Sequence, residues 1–556
     1  CSFSVGAIQE NKETILNCFE EAESVESDIV IFPELAITGY PPEDLLLRES
    51  FIGKNFAVLE EIAAFSSHTS GVIGFVDRKN DPHNQNNNKR TIANAAAIVQ
   101  NGDVRGIYHK SFLPNYSVFD EARYFSKGTE PNTLFWYDDI AIGINICEDI
   151  WIEDGPAEEQ VKQGASLIIN INASPYDIHK SETRKEIVMK KALKLNVPII
   201  YLNMVGGQDE LVFDGGSFVV NDLGEIIYQA SSFKEEVFHL DIDLKTNKQN
   251  DKSPLIIRPK TIELKDVESK ASLSKNESIY SALKLGLKDY VRKNKFTKVL
   301  IGISGGIDSA LTAAICVDAL GAENVIGVAM PSKYNSKDSL DDAIKLSDNL
   351  GITLKTIEIE RIVDDFRETL TNSLNEDLGQ ITDENIQSRV RGNILMGLSN
   401  QTGAMVVSTG NKSEMAVGYS TLYGDLAGGF ALIKDLYKTK VYELSNYINS
   451  ISDAIPKNII TKEPSAELRP NQFDSDALPD YEVLDKILNL YIEEDSSSEK
   501  IIASGVNPDL VFDVLKKVDR NEYKRKQVAP GVKLTQKAFG KDRRMPITNT
   551  YIRQKE

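Results

Sequence analysis

Three side chains capable of covalent chemistry stand at the ends of three apolar runs. Cys147 follows the run 140–146 and precedes Glu-Asp-Ile-Trp. Glu34 lies in Phe-Pro-Glu-Leu-Ala, and Lys110 in Tyr-His-Lys-Ser-Phe-Leu-Pro. A buried strand-end Cys is most often inert filling. A carboxylate at such a place is costly unless it is paired or used. If the three strand ends converge, a carboxylate can take the thiol proton, the thiolate can attack, and an ammonium can stabilise the developing oxyanion. The ammonium also favours the thiolate. His109 adjoins Lys110, and adjacent strand residues face opposite ways, so the usual Cys–His pair is not expected.

A second chemistry is written in Gly302, Ile303, Ser304, Gly305, Gly306, Ile307, Asp308 and Ser309, where a strand turns into a helix. Two glycines let the backbone adopt φ > 0 and approach a ligand closely. The free N–H groups at the helix start then face a bound anion. Ser304 and Ser309 can donate to phosphate oxygens, and Asp308 suits Mg2+ as a hard oxygen ligand. A tight βα turn with Gly for packing would share part of this pattern. The string is not a Walker loop, since no Gly-Lys-Ser/Thr follows, and it fails the Gly-x-Gly-x-x-Gly spacing. It resembles the pyrophosphate loop of enzymes that cleave ATP between the α and β phosphates. A further block, Val-Val-Ser-Thr-Gly-Asn-Lys-Ser-Glu from 406, leaves another strand through a polar turn. In an open α/β sheet that turn faces the first loop. Glu414 there is a second possible Mg2+ ligand, or simply an acid in a first helical turn.

These groups need two frameworks to hold them. Over 1–244 short apolar segments at 28–35, 71–77, 92–100, 103–110, 140–147, 166–172, 197–203, 217–221 and 236–244 read as strands, with helices covering the sheets. The first residues also read as a strand and not as a secretory leader. The polar stretch 80–88 reads as a surface loop. From about 276 helices at 278–292, 309–320, 336–349 and 384–400 alternate with strands at 298–303, 324–329, 353–359 and 404–408, the pattern of a doubly wound parallel sheet. Residues 462–481, with three prolines, read as a mobile loop. The expected domains are 1–245 and 276–556, joined by a linker over 246–275.

With 556 residues, 41% hydrophobic, the chain has material for sizeable cores. A formal net charge of -20 argues against coating nucleic acid or an anionic membrane. No apolar run approaches a membrane span. Four cysteines in such a length make no disulfide scaffold and suit a reducing, cytoplasmic setting. The acidity hides a basic end: residues 516–556 carry 13 Lys/Arg against 4 Asp/Glu. This segment is expected to help hold polyanionic substrates, or else to pack on the acidic body.

Taken together and in order, these motifs resemble the glutamine-dependent NAD+ synthetases over nearly the whole chain. The resemblance implies an α/β fold, with an N-terminal nitrilase-like α-β-β-α sandwich followed by a doubly wound ATP-pyrophosphatase domain of the adenine nucleotide alpha hydrolase-like kind. It implies Glu34 as general base, Lys110 as oxyanion stabiliser, Cys147 as nucleophile and Glu121 as support for the lysine. Tyr116, Ser174 and Lys180 match glutamine-binding positions. Asp308 and Glu414 match Mg2+ ligands, and Thr409, Lys438 and Ser465 match ATP-side positions. Asn385, Arg389, Glu414, Tyr419, Ser420, Thr421 and Leu422 resemble positions contacting deamido-NAD. Leu422 departs from the Lys of single-domain relatives, and Lys524 in the tail is the expected substitute. The implied activity is a ligase reaction with L-glutamine, ATP and deamido-NAD as substrates, in a homo-oligomer, dimer or octamer, with an internal ammonia passage. Another ATP-pyrophosphatase amidotransferase, such as a GMP synthetase, remains an alternative, as does a nitrilase-type amide hydrolase with a nucleotide-sensing second half. The former class uses a Cys-His-Glu glutaminase, whereas here the third partner is Lys.

Overall fold

The structure, a computed structural model, describes residues 1–79, 91–137, 139–244 and 268–551. The expected loop over 80–88 and most of the expected linker lie outside the described residues. The chain forms two compact units, Cys1–Gln208 with Val212–Leu273, and Asp209–Leu211 with Ser274–Glu556.

The first unit holds two larger sheets. One has the order β1 (Ile29–Ile31), β2 (Ser70–Lys79), β3 (Thr91–Gln100), β4 (Asp103–His109). The other contains β5 (Leu134–Tyr137), β6 (Ile140–Ile146), β7 (Leu167–Asn172), β8 (Ile199–Asn203), β11 (Phe218–Val220) and β12 (Ile226–Gln229), in the order β12-β11-β8-β7-β6-β5. Between β8 and β11 in sequence, β9 (Val205–Gln208) and β10 (Leu211–Asp214) form a two-stranded ribbon. The two larger sheets face each other across one core, where Val72, Ala96, Ile98 and Tyr108 meet Ile142, Ile144, Ile169 and Ile171. Helices α1 (Ile8–Ser24) and α2 (Glu49–Phe65) cover the first sheet, and α3 (Pro156–Lys162) and α4 (Lys180–Leu195) the second. This is an α-β-β-α sandwich. The central strands β2, β3, β6 and β7 are buried on both faces over most of their length, which explains why they read as near-continuous apolar runs.

The second unit is built on a five-stranded, wholly parallel sheet in the order β15 (Thr353–Thr356), β14 (Val325–Ala329), β13 (Val299–Gly302), β16 (Met405–Ser408), β17 (Phe430–Ala431). Chain order reverses between β13 and β16, so their carboxyl ends flank a crevice. The helix α5 (Lys275–Lys293) starts with a capping box, in which Ser274 Oγ accepts from the Glu277 amide at 3.3 Å and Glu277 accepts from the Ser274 amide at 3.4 Å. The helix α6 (Ile307–Leu320) follows β13 directly, and Ala310, Leu311, Ala313 and Ile315 bury it. Further along lie α7 (Lys337–Leu350), α8 (Glu360–Leu374) and α9 (Gln380–Thr402). Val363 of α8 and Ile386 and Val390 of α9 cover one face of the sheet over Leu300, Val328 and Val406. The short α10 (Lys412–Val417) packs its Ala416 and Val417 into a helical cluster with Leu484, Ile487, Val511, Val514 and Val518.

Several expectations are corrected. The segment 28–35 is a strand only over Ile29–Ile31: the Phe32 amide still donates to the Val72 carbonyl (2.9 Å), and the chain then turns, with Leu35 at φ +50°. Residues 1–4 form no strand, and α1 follows them, burying Ile8, Ile15, Cys18 and Phe19. Nor is 236–244 a strand. Its alternating Phe238, Leu240 and Ile242 pack on Val219, Tyr228 and Ala230 without ladder hydrogen bonds. The sequence reading passed over β5, β9, β10, β12 and α8, which are short or, like α8, bury little more than Val363.

Candidate active sites

In the first unit Glu34, Lys110, Glu121 and Cys147 form one buried cluster. Lys110 Nζ donates to Glu34 Oε1 at 2.7 Å and to Glu121 Oε1 at 2.9 Å, and its side chain is 0% exposed. Asn94 Nδ2 also donates to Glu34 Oε1 (2.7 Å), and the Ala173 amide to Glu34 Oε2 (3.0 Å). The Tyr40 hydroxyl donates to Glu121 Oε1 at 2.9 Å. Burial pushes the Glu121 carboxyl up to about 7 against the pull of Lys110. Burial opposes the Lys110 ammonium, but Glu121 and Glu34 outweigh it and hold the group well above the usual lysine range. Burial, reinforced by Glu34, lifts the Cys147 thiol well above its ordinary value, with Lys110 acting the other way. At rest Cys147 is therefore a thiol, with Glu34 and the Lys110 ammonium close by.

Backbone geometry presents that thiol. β6 ends at Ile146 and a single 3-10 turn, Cys147–Trp151, begins at once. Cys147 has φ +45°, a left-handed value that costs a side-chain-bearing residue about 1–2 kcal/mol. Asp149 holds the turn. Its carboxylate accepts from the Ile146 amide (3.1 Å), the Ser111 and Phe112 amides (3.1 and 2.9 Å) and the Tyr108 hydroxyl (2.9 Å). One buried acid thus ties the Cys147 turn to the chain leaving Lys110, and burial raises its carboxyl to about 6.

Around this cluster stand the three positions matched to glutamine binding. The Tyr116 hydroxyl donates to Glu148 Oε2 at 2.9 Å, and Tyr116 is 52% exposed. Ser174 is buried, its amide donating to Asn203 Oδ1 at 2.9 Å. Lys180 lies 4.7 Å over the Trp151 ring, and burial, then Arg184, lower its pKa. His109 turns away from the cluster and meets Asp77 Oδ2 at 2.7 Å.

In the second unit a cavity of about 710 Å3 opens where β13 and β16 end. All eight residues from Gly302 to Ser309 line it, with Thr409, Glu414, Lys438, Ser465, Asn385, Tyr419, Ser420, Thr421 and Lys524. Gly305 has φ +80°, and a Cβ there would fall 2.2 Å from the Ser339 carbonyl oxygen, so only glycine fits this turn. The serine hydroxyls brace the loop: Gly306 N donates to Ser304 Oγ (3.2 Å), and Ser309 Oγ donates to the Gly306 carbonyl (2.9 Å). Asp308 and Glu414 share Lys438, whose Nζ is 2.5 Å from Asp308 Oδ2 and 3.4 Å from Glu414 Oε1. Asn411 Nδ2 joins the two turns by donating to Asp308 Oδ1 at 2.9 Å. Burial, then the Asp308 charge, push the Glu414 carboxyl up to about 8. Arg389 and Leu422 are not in the cavity wall. The Arg389 Nε donates to the Leu422 carbonyl at 3.2 Å, and the Leu422 side chain packs with Met415, Leu426 and Ala431.

The comparisons with known proteins parallel this two-part build. The carbon-nitrogen hydrolase family matches residues 4–250, and the NAD synthase family residues 279–528. A glutamine-dependent NAD(+) synthetase of Aquifex aeolicus is 45% identical over 99% of this chain and 98% of its own. The chain belongs to the glutamine-dependent NAD(+) synthetase family. Its member from Thermotoga maritima is 46% identical, over 99% and 97% of the two chains. The solved glutamine-dependent NAD+ synthetase of Acinetobacter baumannii, in complex with adenosine diphosphate, is 42% identical, covers 99% of this chain and 97% of its own, and superposes with a TM-score of 0.75.

Within this family framework, some site residues carry little sequence signal. Asn94 is a polar residue set among the alanines of β3, and that contrast is its one clue. Asp474 lines the cavity and accepts from the Tyr481 hydroxyl at 2.8 Å, yet it sits in the segment read as a mobile loop. That segment is tied down: Ser465 Oγ donates to the Gln472 carbonyl at 2.5 Å, and Gln387 Nε2 to the Leu468 carbonyl at 2.9 Å. Arg391 also lines the cavity and reaches the Met330 carbonyl at 3.1 Å. In the basic end of this synthetase-family chain, Lys524 Nζ donates to the Gly418 and Ser420 carbonyls, each at 2.8 Å. Arg525 pairs with Glu522 at 2.9 Å and Lys533 with Asp542 at 2.7 Å inside the segment, and Lys537 reaches outside it to Asp495.

Proposed function

We propose that the chain hydrolyses L-glutamine in its first unit and uses the ammonia in its second to convert deamido-NAD(+) to NAD(+) at the expense of ATP. One observation carries the reading: a Cys–Glu–Lys cluster and a Gly-rich phosphate turn facing two acids occur in one chain, which aligns end to end with curated synthetases of this activity.

In the glutaminase half, Glu34 takes the thiol proton as Cys147 Sγ attacks the amide carbon. Lys110 stabilises the oxyanion. The proton passes to the leaving nitrogen, ammonia departs, and water hydrolyses the thioester to glutamate and free thiol. Burial of the four groups keeps this charge shift out of water, where it would be screened. Glu121, whose carboxyl burial pushes up to about 7, holds the Lys110 ammonium in place. Tyr116, Ser174 and Lys180 bind the substrate's polar ends.

In the synthetase half, the substrate carboxylate attacks the α-phosphorus of ATP and diphosphate leaves. Ammonia then displaces AMP from the acyl adenylate, forming the amide. A carboxylate is a poor acceptor until AMP becomes its leaving group, which is why ATP is consumed. The amides of the 302–309 turn receive phosphate oxygens, with Thr409, Lys438 and Ser465 on the nucleotide side. Asn385, Tyr419, Ser420, Thr421 and Lys524 take the dinucleotide, and Arg389 and Leu422 support that wall from behind.

Asp308 and Glu414 fit Mg2+: two carboxylates face the cavity, and burial and the Asp308 charge raise the cost of ionising Glu414. Among the described residues no group of three or more His, Cys, Asp or Glu makes a closed cage, which suits a cation that takes its other ligands from phosphates and water. When bound, Mg2+ supplies neutralisation of phosphate charge. A homo-oligomer, with an internal ammonia passage and a cytoplasmic location, completes the proposal. The deciding assay is diphosphate release from Mg2+-ATP with ammonium chloride, with and without deamido-NAD(+). Release is expected only with the dinucleotide; no such dependence sinks the reading.

A further inference from the structure

Beside the proposed glutamine site lies a buried arginine that the mechanism does not use. Arg184, on α4, and Asp214, on β10, form an ion pair with side chains 3% and 4% exposed. The guanidinium has five N–H groups, and each meets an acceptor. Nε donates to Ser174 Oγ at 3.2 Å, and the first terminal nitrogen to both Asp214 oxygens at 2.7 and 2.9 Å. The second terminal nitrogen donates to the Ser174 and Pro175 carbonyls at 2.7 and 2.9 Å. No donor is left for a bound molecule, and Asp214 cancels the charge. Arg184 is therefore no anion receptor; its influence falls on Ser174.

A serine hydroxyl has one hydrogen and two lone pairs. By occupying a lone pair, Arg184 leaves the hydrogen of Ser174 to be given elsewhere. The backbone is fixed as well. The Ser174 carbonyl also accepts from Asn203 Nδ2 at 3.2 Å, and one residue earlier the Ala173 amide donates to Glu34. The same clamp thus sets the segment whose amide steadies the base.

We propose that Arg184 is a positioning residue for glutamine binding, holding the Ser174 hydroxyl as a hydrogen-bond donor toward an acceptor oxygen of the substrate. This rests on reading Ser174 as a glutamine contact. Lysine could keep the charge beside Asp214 but lacks the planar fork that reaches Ser174 and Pro175 together.

The test is steady-state kinetics on the full chain for Ser174→Ala, Arg184→Lys and the double variant, with ammonia-driven synthesis as the check on folding. Each single variant is expected to raise the KM for glutamine about tenfold or more, with a smaller change in kcat. The double variant is expected to be no worse than the worse single, because both act through one hydroxyl. Fully multiplying effects, or a wild-type KM in Arg184→Lys, overturns the proposal. A wild-type KM in Ser174→Ala overturns the reading of Ser174 itself, and the proposal with it. If Arg184→Lys does not fold, the paired variant Arg184→Met/Asp214→Leu removes both buried charges together. It is expected to show the same raised KM, and a wild-type KM there is equally decisive against the role.

Discussion

At the scale of single residues, the two clusters assign separable work. Replacing Cys147 by Ala removes the one nucleophile of the first cluster and leaves the second cavity untouched. Glutamine-driven synthesis is expected to fall to background, while ammonia-driven synthesis stays within about twofold of wild type. Loss of both activities in a folded protein, measured as NAD(+) formed from each nitrogen source, would contradict that division. Cys147, Glu34 and Lys110 were legible because each is out of place in an apolar run. Asp149 was not, because an acid beside another acid after a strand looks like solvated surface, and only the fold reveals its four donors. Ser174 was reached through resemblance alone, and Arg184, a basic residue in a helix full of charges, gave no signal of its burial.

At the scale of elements, function depends on where strands stop. Glu34 sits just beyond β1, where the chain turns after Phe32, and Cys147 begins a turn because Ile146 is the last paired residue of β6. The sequence reading located both stops to within a few residues but extended β1 through the proline. The 302–309 segment was legible as a strand-to-helix turn, since its glycines stand where a strand pattern gives way to a helical one. Its conformation yields a sharp expectation. Gly305→Ala puts a methyl group 2.2 Å from the Ser339 carbonyl oxygen in a left-handed backbone, so the turn must move. Ammonia-driven diphosphate release is expected to fall about tenfold or more, with a higher KM for ATP. Unchanged kinetics would mean that the turn does not cradle phosphate. Loop 462–481 was the least legible element. Proline and polar content signal a connection but do not reveal that Ser465, Glu467 and Asp474 face a cavity.

For the whole molecule, buried acids set a pH response. Folding raises Asp149 to about 6, Glu121 to about 7 and Glu414 to about 8, and shifts Asp425, Asp474 and Asp485 the same way, chiefly by burial. Between the unfolded carboxyl values near 4 and these raised values, the folded state holds more protons than the unfolded one. Stability therefore falls as pH rises through this window. The buried Cys1 amine, lowered by desolvation, opposes the trend as a single group. The Tm of the unliganded protein is expected to be higher at pH 6 than at pH 8, as differential scanning calorimetry can measure; a Tm that climbs from pH 6 to pH 8 would refute it. The net charge of -20 adds to the same slope, since acidification relieves self-repulsion. That charge was plain from composition. The depth of the few acids that burial raises was not, because composition carries no depth.

The dry setting of Cys147 has a further consequence. Peroxides and alkylating agents react with thiolates, and access governs them as well. A side chain in the core, 4% exposed and protonated at rest, offers neither opening. The burial that keeps this thiol protonated thus also shelters it from oxidative damage.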